Sequence, residues 1–118
     1  MTYPHLYATA GLEALAAEID AERQRQIARF GDQQHPDGTG PRTASIGHGL
    51  EHADRAAADA RLRCQNAARR GQTTWRDILA EEVYEAAAES DPAALRTELV
   101  QVAAVALAWI HDIDRRPV

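Results

Sequence analysis

A chain of 118 residues has room for one domain with a modest core, and a formal net charge of −5 with no long run of arginine argues against nucleic-acid binding as its main role. Apolar residues make up 45% of it but aromatic ones only 5%, and much of the apolar count is alanine, so closely packed helices completed by a second copy are expected. Cys64 is the lone cysteine, which excludes an intrachain disulfide and a cysteine zinc site and reads as a buried or semi-buried thiol.

The amino-terminal stretch MTYPHLYATAGLEALAAEID lacks the basic start and apolar run of a signal peptide. The spacing of Leu12, Leu15, Ile19, Ile27 and Phe30 predicts a first helix over Gly11 to Phe30, ended by Gly31. From Gly31 to Gly49 the chain is dense in Gly, Pro, Asp, Ser and Thr and reads as a loop or set of turns, long enough to be functional or mobile. A second helix is expected from Leu50 to Arg70, ending at Gly71. Its pattern is weak, mostly alanines with Leu50, Leu62 and Cys64, so its packing face is alanine.

Thr74, with Asp77 three residues on, opens a third helix in near capping-box fashion. That helix reads WRDILAEEVYEAAAES and stops around Ser90. Asp91 as N-cap and Pro92 as first helical residue then start a fourth helix that continues to about Asp114. The tight turn between them makes the pair an antiparallel hairpin. From Leu99 to Ile110 the fourth helix reads LVQVAAVALAWI, with Gln101 its only polar side chain. A helix apolar on nearly all faces is surrounded, and a chain this short leaves part of that covering to a second copy, so a homodimer or homotetramer is expected. Twelve residues are too few to span a bilayer, which predicts no membrane and a cytoplasmic location. The expected fold class is therefore all-α, a single domain over residues 1–118.

The third helix carries Glu81, Glu82, Glu85 and Glu89 with no basic residue among them. Glu82, Glu85 and Glu89 share a face at i, i+3 and i+7, where like charges repel. The fourth helix adds Glu98 and Gln101, again on a common face, and across a hairpin the two faces can meet. Carboxylates gathered in a partly apolar bundle must be neutralised by protons or by a cation, and an oxygen-only donor set suits Mg²⁺ or Mn²⁺. A solvated acidic face is the alternative.

Glu81-Glu82-Val-Tyr-Glu85, twelve intervening residues, then Glu98-Leu-Val-Gln101, resembles the EExxE…ExxD pattern of the MazG-like, all-α nucleotide pyrophosphohydrolases. ERQRQIARFGDQQHPDG also looks like their first helix and following turn, so the resemblance covers roughly residues 18–38 and 72–116. It implies a four-helix-bundle-like, oligomeric fold of MazG type that holds Mg²⁺ and cleaves a nucleoside triphosphate between its α and β phosphates, giving the monophosphate and pyrophosphate. Glu82, Glu85 and Glu98 match the metal ligands. Glu81 matches the leading acid, which would orient or deprotonate the attacking water. Gln101 stands where the family has Asp; its amide oxygen can still ligate Mg²⁺, although it is neutral and weaker, and an interhelical hydrogen bond fixing the register is its other reading. The same bundle with a degenerate metal site would be a non-catalytic binding or interaction module, the alternative function. A di-metal carboxylate oxidase is disfavoured, because neither Glu82 nor Glu98 is followed by His at i+3.

Four further residues are candidates for substrate contact. Arg23, Gln26 and Arg29 on the first helix can meet phosphates or base edges, or form a solvated face. Trp109, eight residues beyond Gln101, can stack on a base or fill the core. Trp75 starts the third helix and can serve as a hydrophobic staple. His35 lies in the loop, and His48 and His52 have the i, i+4 spacing of a zinc pair, but no cysteine accompanies them.

Overall fold

The structure, a computed structural model, describes residues 7–47 and 51–118, and over them it is all-helical. Four helices form among the described residues, and the only extended pairing is an isolated antiparallel bridge between Ala44 and His52. The chain divides into two compact units, Met1–Pro36 and Asp37–Val118.

The first unit holds α1 (Leu12–Phe30), close to its predicted bounds. Gly11 precedes it in a left-handed conformation, and Gly31, also at positive φ, closes it by donating its N–H to the Ile27 carbonyl at 2.8 Å. Polar side chains pair along the helix at i, i+3 and i+4, as in Glu22 with Arg25 and Asp20 with Gln24. Leu15 is buried, whereas Ile19, Ile27 and Phe30 of the predicted stripe are exposed.

The second unit is built around α3 (Trp75–Ala88), which packs on α2 (Ala53–Arg69) on one side and α4 (Pro92–Asp114) on the other. On α2 the buried residues are Ala53, Ala56, Ala57 and Ala60, an i, i+3, i+4, i+7 face made only of alanine. Leu62, its large apolar residue, is 53% exposed. With methyl groups alone on its buried face, α2 can lie close against α3.

α2 begins at Ala53; Glu51 and His52 of the predicted span are not helical, Leu50 lies outside the described residues, and the preceding loop engages the first turn. The Ala53 and Asp54 N–H groups donate to the carbonyls of Thr43 and Pro41, at 2.8 and 2.9 Å. The same loop finishes α3, where the Gly40 N–H donates to the Ala87 carbonyl at 3.0 Å and the Thr39 hydroxyl to that of Glu89 at 2.6 Å. Gly40 is buried at a φ of 152°, which only glycine adopts without strain. Gly47 passes so near Tyr84 that a Cβ there would meet Oη at 3.3 Å. The stretch expected to be functional or mobile is thus, over residues 39–47, a strap joining two helix ends.

The hairpin forms as its caps predict. The Thr74 hydroxyl oxygen accepts from the Asp77 N–H at 3.1 Å and its proton goes to the Asp77 carboxylate. Asp91 accepts from the Ala94 N–H at 3.0 Å with Pro92 at the first position. At the far end Trp75 Nε1 donates to the Asp112 carboxylate at 2.9 Å, tying the start of α3 to the end of α4.

α4 differs from its expectation in two ways. Within one chain it is not surrounded. Leu95 is its buried residue, while Leu99 and Val100 are more than half exposed and Ile110 and Ile113 are also open to solvent. And the apolar run sits in a helix of 23 residues, long and apolar enough by length and composition to cross a membrane.

Candidate metal centre

The hairpin fixes where the acids go. Glu82 and Glu85 are one turn apart on α3, Glu98 and Gln101 one turn apart on α4, and the antiparallel packing brings the two pairs together. One carboxylate oxygen each from Glu82, Glu85 and Glu98 lies within 4.8 Å of the others, and all three residues are half-buried. Gln101 joins them through its amide. Oriented by the acceptors around it, its nitrogen donates to Glu82 Oε2 at 2.9 Å and Glu98 Oε2 at 3.1 Å, bridging α3 to α4.

Glu89 does not belong to the group, although the helical pattern put it on the same face. α3 ends at Ala88, Glu89 turns into extended backbone as the C-cap, and its carboxylate accepts from the Asp91 N–H at 3.1 Å. Glu81 is also apart from the three, and its carboxylate lies beside Cys64 of α2. Burial first, and then a hydrogen bond to Glu81, push the Cys64 thiol up to about 11, so it stays protonated at neutral pH and is a poor nucleophile.

The cluster resists ionisation. Glu82 is held above the ordinary carboxylate range by burial, then by the charges of Glu85, Glu98 and Glu81. Glu98 is raised by burial and by the charges of Glu85 and Glu89, with Arg61 opposing in part. That arginine, on α2, was not legible as a site residue. Its Nε and Nη2 both donate to Glu85 Oε1, at 3.2 and 2.9 Å. It follows Ala57 by one turn, so the alanine face that packs α2 on α3 also brings Arg61 to the acids. A groove of about 280 Å³ opens beside this pair, lined by alanines of α2 and α3 and by Asp54, Arg61, Glu85, Glu89 and Glu98.

The remaining sequence candidates are less engaged. Trp109 is half-buried, two turns and roughly 12 Å along α4 from Gln101. Arg23 and Arg29 are exposed on α1 in the first unit; Arg23 donates to the Gln26 side chain at 2.8 Å, and the Arg29 guanidinium sits over the Phe30 ring at 5.0 Å. His35 is exposed, His52 is the N-cap of α2, and His48 lies outside the described residues.

Chemically, three converging carboxylates with an amide beside them form an oxygen-only donor set, the kind that suits a hard divalent cation such as Mg²⁺ or Mn²⁺. Opposite oxygens around Mg²⁺ are about 4.2 Å apart, the same scale as the 4.8 Å within which the three carboxylate oxygens lie. Comparison with known proteins finds no matching family, no matching curated protein and no matching solved structure.

Proposed function

We propose that this chain is a Mg²⁺- or Mn²⁺-dependent nucleotide pyrophosphohydrolase of MazG-like type, cleaving a nucleoside triphosphate between the α and β phosphates to the monophosphate and pyrophosphate. The observation that carries the reading is the convergence of Glu82, Glu85 and Glu98 across the hairpin, in the order and spacing of the EExxE…ExxD pattern. Glu82, Glu85 and Glu98 would hold the cation, and Gln101 would add its amide oxygen after turning its amide over. A cation held by these residues would neutralise the acids and supply a water of lowered pKa. Glu81, one residue ahead of the group, would have to turn from Cys64 toward the cation to orient or deprotonate the attacking water, and pyrophosphate would leave from the α phosphorus. The protein acts in the cytoplasm as a homodimer or homotetramer, with the exposed apolar side of α4 between copies. An aqueous setting for α4 is favoured by Glu98 in its first half, because a carboxylate in hydrocarbon is costly.

Release of pyrophosphate from a panel of nucleotides, with Mg²⁺ or Mn²⁺, tests the reading. Wild type should release it, and Glu82→Gln should lose on the order of a hundredfold or more in rate, as expected when a group stabilising the transition state is removed. No release from any nucleotide would sink the enzyme.

A second reading has its own observation. The Gln101 amide nitrogen already bonds both Glu82 and Glu98, so the hairpin closes without a cation, as a non-catalytic binding or interaction module requires. Gln101→Asp separates the two. It tightens Mn²⁺ binding if the position is a ligand, and mainly lowers stability if it is a register bond.

A further inference from the structure

We propose that Arg61 binds the polyphosphate of the substrate, keeping two of its N–H groups on Glu85 and offering the others to a phosphate held at the cation site. The inference rests on the pyrophosphohydrolase reading and adds to it a residue from α2, which lies outside the stretch that carries the sequence resemblance.

Position is the first ground. Glu85 and Glu98 belong both to the converging acids and to the lining of the adjoining groove, so an anion bridging from a cation at the acids enters that groove. Among the described residues lining it, Arg61 is the one cation.

Donor count is the second. A guanidinium carries five N–H groups in a fixed fork. Glu85 Oε1 takes one from Nε and one from Nη2, which leaves three. The side chain is 51% exposed, so those three are accessible to a ligand rather than consumed in the interior. Being paired already, the guanidinium is oriented before a ligand arrives, and less freedom is lost on binding than for a free arginine. The alanine lining leaves space for the phosphates.

Charge is the third, and it sets a condition. Asp54, Glu85, Glu89 and Glu98 outnumber Arg61 in the groove. An anion is repelled there unless a divalent cation has first neutralised the acids. Arg61 therefore acts only together with the cation, and polyphosphate binding without metal should be undetectable.

The test uses the full chain and two probes, Mn²⁺ alone and then inorganic pyrophosphate at saturating Mn²⁺, each titrated calorimetrically on wild type, Arg61→Gln and Arg61→Lys. Arg61→Gln should bind Mn²⁺ as well as wild type or better, since Glu85 loses a competing cation. That result also shows the variant is folded. Its pyrophosphate affinity should fall by about tenfold or more, the loss expected for charge-assisted hydrogen bonds to a phosphate. Arg61→Lys should fall in between, keeping the charge but not the fork. Pyrophosphate binding by Arg61→Gln equal to wild type, with Mn²⁺ binding intact, overturns the role of Arg61 and leaves the enzyme reading standing. Wild type that binds no Mn²⁺ overturns both.

Discussion

Glu82 carries a cost that the fold imposes on it. Half-buried and facing Glu85 and Glu98, it gives up its proton less readily than an ordinary carboxyl, and Glu98 behaves alike. Between the ordinary carboxylate value and the raised ones, the folded chain holds more protons than the unfolded chain, so these groups make stability fall as pH rises through that window. Glu82→Gln removes one charge from the cluster and keeps an oxygen to accept from Gln101. In EDTA at neutral pH this variant should melt roughly a few degrees above wild type. The difference should vanish once the pH drops below the ordinary carboxylate range, where wild-type Glu82 is neutral too. Saturating Mg²⁺ at neutral pH should reverse the order, because the ion stabilises only the intact ligand set. Melting curves across pH, with and without metal, check this. A gap between the two proteins that ignores pH would mean that charge crowding is not its source.

At the scale of elements, local signals and packing signals differ in how far they could be read. The hairpin was legible because its caps are short-range chemistry: Thr74 with Asp77, and Asp91 with Pro92, act on their own turns. The acids followed from it, since helical spacing and one tight turn set which residues face each other. Glu89 leaves the face its spacing gave it because the helix ends one residue before it, and Gly40 and Thr39, about fifty positions upstream, help to end it. α2 was the least legible, for a physical reason. Its buried face is four alanines, so the pattern of large apolar residues pointed nowhere, and Arg61 went unnoticed with it. That narrow contact predicts a size limit. Ala60→Leu, at a buried position, should overpack α2 against α3 and cost about 1–3 kcal/mol. Ala68→Leu, exposed on the same helix, should change stability by less than about 0.5 kcal/mol. Urea denaturation midpoints measure both, and equal shifts would mean that the two helices are not closely packed.

For the whole molecule the question is what covers α4. Leu99, Ala103, Ala106, Ile110 and Ile113 recur at steps of four and three along it, and of these only Ala106 is not exposed in a single chain. That alternation has the spacing of a seam where a helix packs on another helix, and a bilayer would not impose it, since lipid contacts a helix without register. Two further features favour protein as the cover. Glu98 and Gln101 interrupt the helix with polar atoms that are engaged with α3, and Asp112 holds Trp75 at the other end. In a symmetric pair each seam residue is used twice, so replacing one is felt doubly. Full burial of an Ile side chain is worth about 1.5–3 kcal/mol, and Ile110→Asp should therefore weaken self-association by about a hundredfold or more. Light scattering coupled to gel filtration should then find wild type as a dimer or tetramer and the variant as a monomer with α-helical circular dichroism. Wild type that is monomeric in buffer, or that sediments with vesicles and leaves them on detergent addition, would reject a second copy as the cover of this face.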